Sequence, residues 1–301
     1  MTTRPLLTAA VLAAVILAGT AAAQPADTLM ARYQAFDASG ATRPLGEILD
    51  AAVQADVVFV GEIHDDPTGH AVELAVLSGL HERAGTRPVV LALEMFEADV
   101  QTVSDEYLAG TISERDFLEA ARPWANYAAD YRPLVEYAKA NRMRVVAANA
   151  PVRYVRAVGR GVDLAGLSPA ALAVLPPLPV AEASEGMAAA FSEAMGGHGG
   201  TGMGGMLGAQ NLRDASMAYR TAEALRGGAA GGRPLVVHVN GGFHTAGGRG
   251  IPEHLARFAP TARVFRIDLA PVADVDAPPL AVDADAVVQT PARLVPSRSG
   301  E

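Results

Sequence analysis

Short, almost wholly apolar runs alternate along the chain with longer stretches in which apolar residues recur every three or four positions. The runs ADVVFVG (55–61), PVVLALEMF (88–96) and MRVVAANAP (143–151), the segment 235–240 and ARVFRIDLA (262–270) predict buried strands. YQAFDASG (33–40) predicts a short entry strand and turn, and AVVQT (286–290) an edge strand. Helical spacing marks PLGEILDAAVQ (44–54) through Leu45, Ile48, Leu49 and Val53. Asp66-Pro67 starts a second helix, with Asp as the cap and Pro at the first helical position. A helical stretch is predicted over 98–141, with further helices in EASEGMAAAFSEAM (182–195) and AQNLRDASMAYRTAEALRG (209–227), and from Ile251-Pro252 onward. MGGHGGTGMGGMLG (195–208) reads as a flexible Gly/Met-rich loop, and 271–284 as irregular. About thirty residues separate the first two long strands, which suits a βαβ crossover. The pattern predicts one α/β domain over 24–292, with a mostly parallel central sheet, helices on both faces and a short tail at 293–301.

The first 23 residues break this pattern. Arg4, the run LLTAAVLAAVILAG and the small residues Ala21–Ala23 have the order of a cleaved signal peptide, shorter than a membrane span. The expected location is therefore periplasmic or secreted. No Cys follows the apolar run, so lipidation is not expected, and the chain has no Cys for disulfides or thiolate metal sites. Net charge is −9 without a clustered basic stripe, which argues against a nucleic-acid partner. No later stretch is long and apolar enough to span a membrane.

Candidate chemistry collects where strands end. The first long strand breaks into Gly61-Glu62-Ile63-His64 and the segment 235–240 into Gly241-Gly242-Phe243-His244, a duplicated Gly-x-x-His. Glu94 closes the second long strand and Asn149 the third. In a parallel sheet these ends share one edge, where functional groups gather. Strand-end Glu and His residues also serve as caps and loop anchors. The duplication, and the cost of an unpaired Glu94 inside VVLALEMF, favour a functional cluster. Glu62, His64, Glu94 and His244 are thus the candidate catalytic residues and the candidate ligands of a divalent metal (Zn, Mn, Fe or Co). In a metal-dependent hydrolase of peptides or esters, Glu62, His64 and His244 would hold metal or water, and Glu94 would act as general base or as an outer partner that orients a ligand. His198, with Met195, Met203 and Met206, could close over an apolar ligand, and Tyr127 and Tyr131 share a predicted helical region with Trp124. His81, His238 and His254 read as structural. No Gly-x-Ser-x-Gly elbow, Walker A sequence or dinucleotide fingerprint is present.

GEIHDDPTGH, LALEMF, PWANYAADYRPLVEYAK, VVAANAP, AQNLRDASMA and HVNGGFHTAGGRGIPEHL occur in this order, and over roughly 55–270 the chain resembles the ChaN-like family. That family of exported, iron-regulated haem-binding proteins is grouped with TIKI, TraB and erythromycin-esterase-like proteins. The resemblance implies a parallel-rich α/β fold and haem as the cofactor for iron uptake. It also implies a homodimer around two stacked haems, with a Tyr ligating iron and a His touching a propionate. Tyr127, Tyr131 and His198 are the candidates for haem contacts. Glu62, His64, Glu94 and His244 match the cluster that TIKI proteases and the esterases share. The missing Cys departs from lipoprotein members of the family. Two readings result: an exported haem- or iron-binding protein, and a metal-dependent hydrolase.

Overall fold

Eight strands among the described residues join in one sheet of order β2-β1-β8-β7-β3-β6-β4-β5. They are β1 (Gln34–Asp37), β2 (Thr42–Arg43), β3 (Val57–Glu62), β4 (Val89–Glu97), β5 (Arg144–Asn149), β6 (Leu235–Gly241), β7 (Val264–Val272) and β8 (Ala286–Pro291). The computed structural model describes residues 33–196, 202–227 and 232–292. The expected signal peptide (1–23), His198 and the expected tail (293–301) lie outside them. From β8 to β5 every neighbouring pair is parallel, and β1 and β2 add antiparallel pairs at one margin.

The helices are α1 (Leu45–Ala52), α2 (Pro67–Ala84), α3 (Gln101–Leu108), α4 (Glu114–Ala121), α5 (Arg132–Ala140), α6 (Val152–Gly159), α7 (Pro169–Leu172), α8 (Glu185–Ala194), α9 (Met203–Arg226) and α10 (Ile251–Phe258). They cover both faces of the sheet, as its apolar strands require. Alternation along each strand divides the side chains between two cores. Val58 and Val60 of β3 and Leu91 and Leu93 of β4 pack with Val76, Leu77 and Leu80 of α2 and Leu134 of α5. Val57 and Phe59 of β3 and Val90 and Ala92 of β4 pack with Met217 and Ala218 of α9 and Leu255 of α10. No helix among the described residues is long and apolar enough to cross a membrane.

One topological step positions the site. The chain leaves β3, crosses over through α2 and enters β4, but β6 later fills the gap between them. The strands bearing the duplicated Gly-x-x-His thus become nearest neighbours, with Gly61 opposite Asn240 and Glu62 opposite Gly241. Both motifs leave the sheet at the same edge.

Three expectations need correction. The 98–141 stretch is not one helical region. Gly110 takes φ +75° and Arg122 takes φ +53°. Ser113 caps α4 in a reciprocal capping box with Asp116. Trp124, Tyr127 and Tyr131 consequently sit on the irregular connection into α5. Strand β8 is no edge strand, because β1 folds back antiparallel upon it. Within 195–208, residues from Met203 onward already belong to α9. Gly205 and Gly208 serve close packing. A Cβ at Gly205 would collide with the Gly159 carbonyl of α6, and one at Gly208 would lie 3.3 Å from Val158 Cγ1.

Neighbouring glycines should therefore respond with opposite signs. Gly205→Ala is expected to destabilise the protein by about 1–3 kcal/mol through overpacking. Gly204→Ala, with nothing within 4 Å of its Cβ position, is expected to stabilise it by up to about 1 kcal/mol through helix propensity. Urea unfolding of both variants checks the pair; equal effects would show that α9 does not rest on α6 through Gly205.

Candidate functional site

Strand β3 ends in Glu62, which is 1% exposed, and the chain then turns outward so that Ile63 is 46% exposed. The His64 imidazole, 49% exposed, folds back and its Nδ1 meets Glu62 Oε1. The Tyr131 hydroxyl donates to the same oxygen at 3.2 Å. Trp124 packs edge-on against the His64 ring, with centroids 4.8 Å apart. Asn126 Nδ2 donates to the His64 carbonyl at 3.0 Å and fixes that turn. The bond to Glu62, with the charges of Glu62 and Glu94, raises the His64 pKa against the effects of burial and of His244.

A second pair lies beside it. Glu94 falls where the β4–β5 register shifts, an irregularity of the kind that re-aims side chains. The Gly241 amide donates to Glu94 Oε2 at 2.7 Å, and His244 Nε2 lies 3.2 Å from Glu94 Oε1. On its other side, His244 Nδ1 bonds Asp214 of α9. Burial opposes charge on both partners. The surrounding opposite charges and hydrogen bonds prevail, holding Glu94 at about 2 and His244 at about 10. Burial raises the Asp214 pKa against the pull of His244.

Gly241 joins the pairs. A Cβ there would lie 2.8 Å from His64 Cε1 and 3.6 Å from Glu94 Oε2. The His64 ring can rest on this backbone only because the position has no side chain.

The structure thus gathers Glu62, His64, Glu94 and His244 at one sheet edge. It does not make them a common metal shell. Both His244 nitrogens face carboxylates, and His64 turns Nδ1 to Glu62. Among the described residues the three-residue group whose ligand atoms converge within 4.8 Å is Glu62, His70 and Glu73. The His70 Nδ1 lies 3.2 Å from Glu73 Oε1, and its Nε2 lies 3.2 Å from the His64 carbonyl oxygen. Burial drives Glu73 up to about 7. Burial acts against charge on His70, but Glu73, Glu62 and Asp130 bring it to about 9.

The candidate haem tyrosines separate. Tyr131 belongs to the cluster but is wholly enclosed. Tyr127 is sunk among Phe96 and Phe117, and its hydroxyl has no hydrogen-bond partner. Asn149 braces the site by donating to the Glu94 carbonyl at 3.0 Å. His81 meets the Tyr137 hydroxyl, and His254 meets Asn211. His238 is buried against Phe59, and burial lowers it to about 3. Asp214, His70 and Glu73 were missed from the sequence, although a signal existed. Glu73 shares its helical stripe with Val76, Leu77 and Leu80, and Asp214 shares one with Ala218, Thr221 and Leu225. A carboxylate on a core-facing stripe requires a partner.

These shifts give a signed pH dependence. The Glu94 contribution is present above its ordinary value of 4.5 and is lost as pH falls toward about 2. The His244 contribution is present below 6.5 and is lost as pH rises through about 10. The stability difference between the native protein and His244→Gln, measured by urea unfolding, is expected to shrink steadily from pH 6.5 to 10. A difference independent of pH over that range would mean that His244 is neutral in the fold.

The comparisons agree with this architecture. The family described as haem-binding uptake, Tiki superfamily, ChaN matches residues 48–255, a span that holds every group from Glu62 to His244. The fold is similar to that of a solved structure described as cofacial heme binding to ChaN of Campylobacter jejuni, with a TM-score of 0.63. That match has 15% identity and covers 85% of this chain and 96% of the other. A stretch of 144 residues is 25% identical to Protein RETICULATA-RELATED 5, chloroplastic, of Arabidopsis thaliana. It covers 44% of this chain but 20% of that protein, so the chain spans about a fifth of this curated relative. On the strength of the match over residues 48–255, the chain belongs to the haem-binding uptake family of the Tiki superfamily, ChaN.

Proposed function

We propose that this protein binds haem and serves haem or iron uptake in an exported compartment, as a homodimer around stacked haems. The family match over 48–255 carries the reading. The site supports it through His64. With Nδ1 tied to Glu62, the ring is fixed in orientation and Nε2 remains for a ligand. The Trp124 ring packs edge-on against it, and the preceding residue, Ile63, is exposed, giving apolar surface of the kind a porphyrin needs beside a polar contact. His64 would contact the iron or a propionate. Tyr127 and Tyr131 fit that role poorly. Both hydroxyls are enclosed, and burial raises both pKa values, which opposes the phenolate an iron ligand requires. Export rests on the pattern of residues 1–23.

Titration of the purified protein with haemin, followed by Soret absorbance and sedimentation, tests this reading. We expect saturable binding with a haem-dependent increase in mass. His64→Ala should weaken affinity by at least about tenfold, because a charge-assisted contact is worth about 1.5–3 kcal/mol. His81→Ala, which loses only a bond to Tyr137, should bind normally. Wild-type affinity in His64→Ala would remove His64 from the haem site.

A second reading, hydrolysis of a peptide or ester, is favoured by one observation: His244 lies between Glu94 and Asp214. The direction of the shifts argues against Glu94 as the general base and favours it as a charged partner of His244. Glu94, held at about 2, is too weak a base at neutral pH. His244, at about 10, is a fixed cation suited to stabilising developing negative charge. His64, half-exposed and backed by Glu62, is the group placed to exchange protons with water. Ester turnover should then be lost in both Glu62→Gln and His64→Ala; turnover that survives both substitutions would sink the assignment.

A further inference from the structure

We propose that Glu62, His70 and Glu73 form a buried site for one first-row divalent cation of the Mn(II), Fe(II) or Zn(II) class. The site shares Glu62 with the half-exposed His64 surface, and its assignment does not rest on the haem reading. Its parts come from two elements that the fold holds rigidly together. Glu62 is the last residue of β3, and His70 and Glu73 sit one turn apart on α2. Helix α2 is pinned at its start by Asp66, which accepts from the Thr68 amide at 3.0 Å and from the Thr290 hydroxyl of β8 at 2.5 Å.

Three observations point to a cation. First, one ligand atom from each residue lies within 4.8 Å of the other two, and all three residues are buried. Modest contraction would bring such atoms to the roughly 2 Å bonds of a transition ion. Second, Glu62 Oε2 is enclosed and lacks a hydrogen-bond partner, although Oε1 accepts from Tyr131 and meets His64. Asp214 Oδ2 and Asp268 Oδ1 share this lack among the described residues, but of the three only the Glu62 carboxylate belongs to a converging set of ligand atoms, and an unseen ion is one standard explanation of such an oxygen. Third, His70 is oriented as metal-bound histidines are. Its Nε2 meets the His64 carbonyl oxygen at 3.2 Å, which holds the ring with Nδ1 toward Glu73.

The donor chemistry narrows the ion. Two carboxylates and one imidazole suit borderline divalent metals, and the absence of sulfur disfavours Cu(I). Charge balances as well. The Nδ1 proton of His70 leaves as the ion enters, so two carboxylates and a neutral imidazole face a doubly charged cation. Tyr131, through its bond to Glu62, is an outer partner that positions this ligand.

The full-length protein, stripped with EDTA, should be titrated with MnCl2 and separately with ZnCl2. Calorimetry in two buffers and the Mn(II) paramagnetic signal are the readouts. The expected result is one ion per chain, proton release on binding and a rise in melting temperature with metal concentration. Glu73→Gln and His70→Gln should abolish binding, whereas Glu94→Gln and His244→Gln should retain it. If Glu73→Gln and His70→Gln fail to fold in EDTA, Tyr131→Phe decides. Affinity weakened about 10–100-fold, the usual effect of losing an outer partner, supports the site, and unchanged affinity overturns it. The proposal also fails if neither ion binds at millimolar concentration, or if binding is lost in Glu94→Gln but kept in Glu73→Gln. That last outcome would move the ion to the neighbouring pair.

Discussion

Three functional groups meet over a residue that has no side chain. The Gly241 amide holds Glu94, its Cα face carries the His64 ring, and the next three residues swing His244 under Glu94. None of this would exist if β6 followed β3 and β4 in sequence order across the sheet. Because β6 lies between them, the two Gly-x-x-His turns leave adjacent strands, and Glu94 of the flanking strand faces the junction. Any Cβ at position 241 would strike His64 Cε1 at 2.8 Å and separate the Glu62–His64 pair from the Glu94–His244 pair. The local demand for a glycine and the global strand order are one requirement seen at two scales.

Burial then determines how the charges must be arranged. Glu62, Glu73, Glu94, Asp214, His70 and His244 are all buried in one region. Such a collection survives only when each ion has an opposite neighbour, since isolated buried charges are prohibitively expensive. The fold supplies that order: Asp214–His244–Glu94 on one side, Glu73–His70 on the other, with Glu62 and His64 between. Removing one member strands its partner, which typically costs about 3–5 kcal/mol. Replacing a whole set with apolar residues would often cost nothing. The retention of so many buried ions therefore points to use, with stability as a condition that must be met alongside it.

Much of this was legible in the sequence, for physical reasons that also explain what was not. The central strands announce themselves because strands buried on both faces are apolar throughout, and Glu94 stands out against that background. The two Gly-x-x-His turns were visible as a local repeat. Asp214 was hidden because a carboxylate on a long, weakly amphipathic helix looks like solvent-facing charge until its partner, thirty residues on, is known. His70 and Glu73 were hidden in the same way inside α2, where the apolar stripe begins one turn later. The break between α4 and α5 and the interior place of β8 depend on tertiary pairing that no local pattern encodes. Gly205 and Gly208 carried a misleading signal. Glycine permits both mobility and close approach, and only the proximity of α6 shows which is used here.

The sheet edge is divided by depth, and the division separates two kinds of chemistry. At the surface lie exposed Ile63 and the half-exposed His64, whose imidazole is oriented by Glu62 and packs edge-on against Trp124. Beneath it lie the buried carboxylates and imidazoles of Glu62, Glu73, Glu94, Asp214, His70 and His244. Glu62 spans the two layers. One oxygen orients His64 toward the surface, and the other is enclosed without a partner. A cation held by the proposed lower site would change the charge that Glu62 presents to His64, because a single carboxylate cannot be fully shared with a cation below and still hold the imidazole above as strongly. Glu62 is the side chain that touches both the His64 face and the Glu62–His70–Glu73 group, so any charge placed on the lower group is felt by His64 through it.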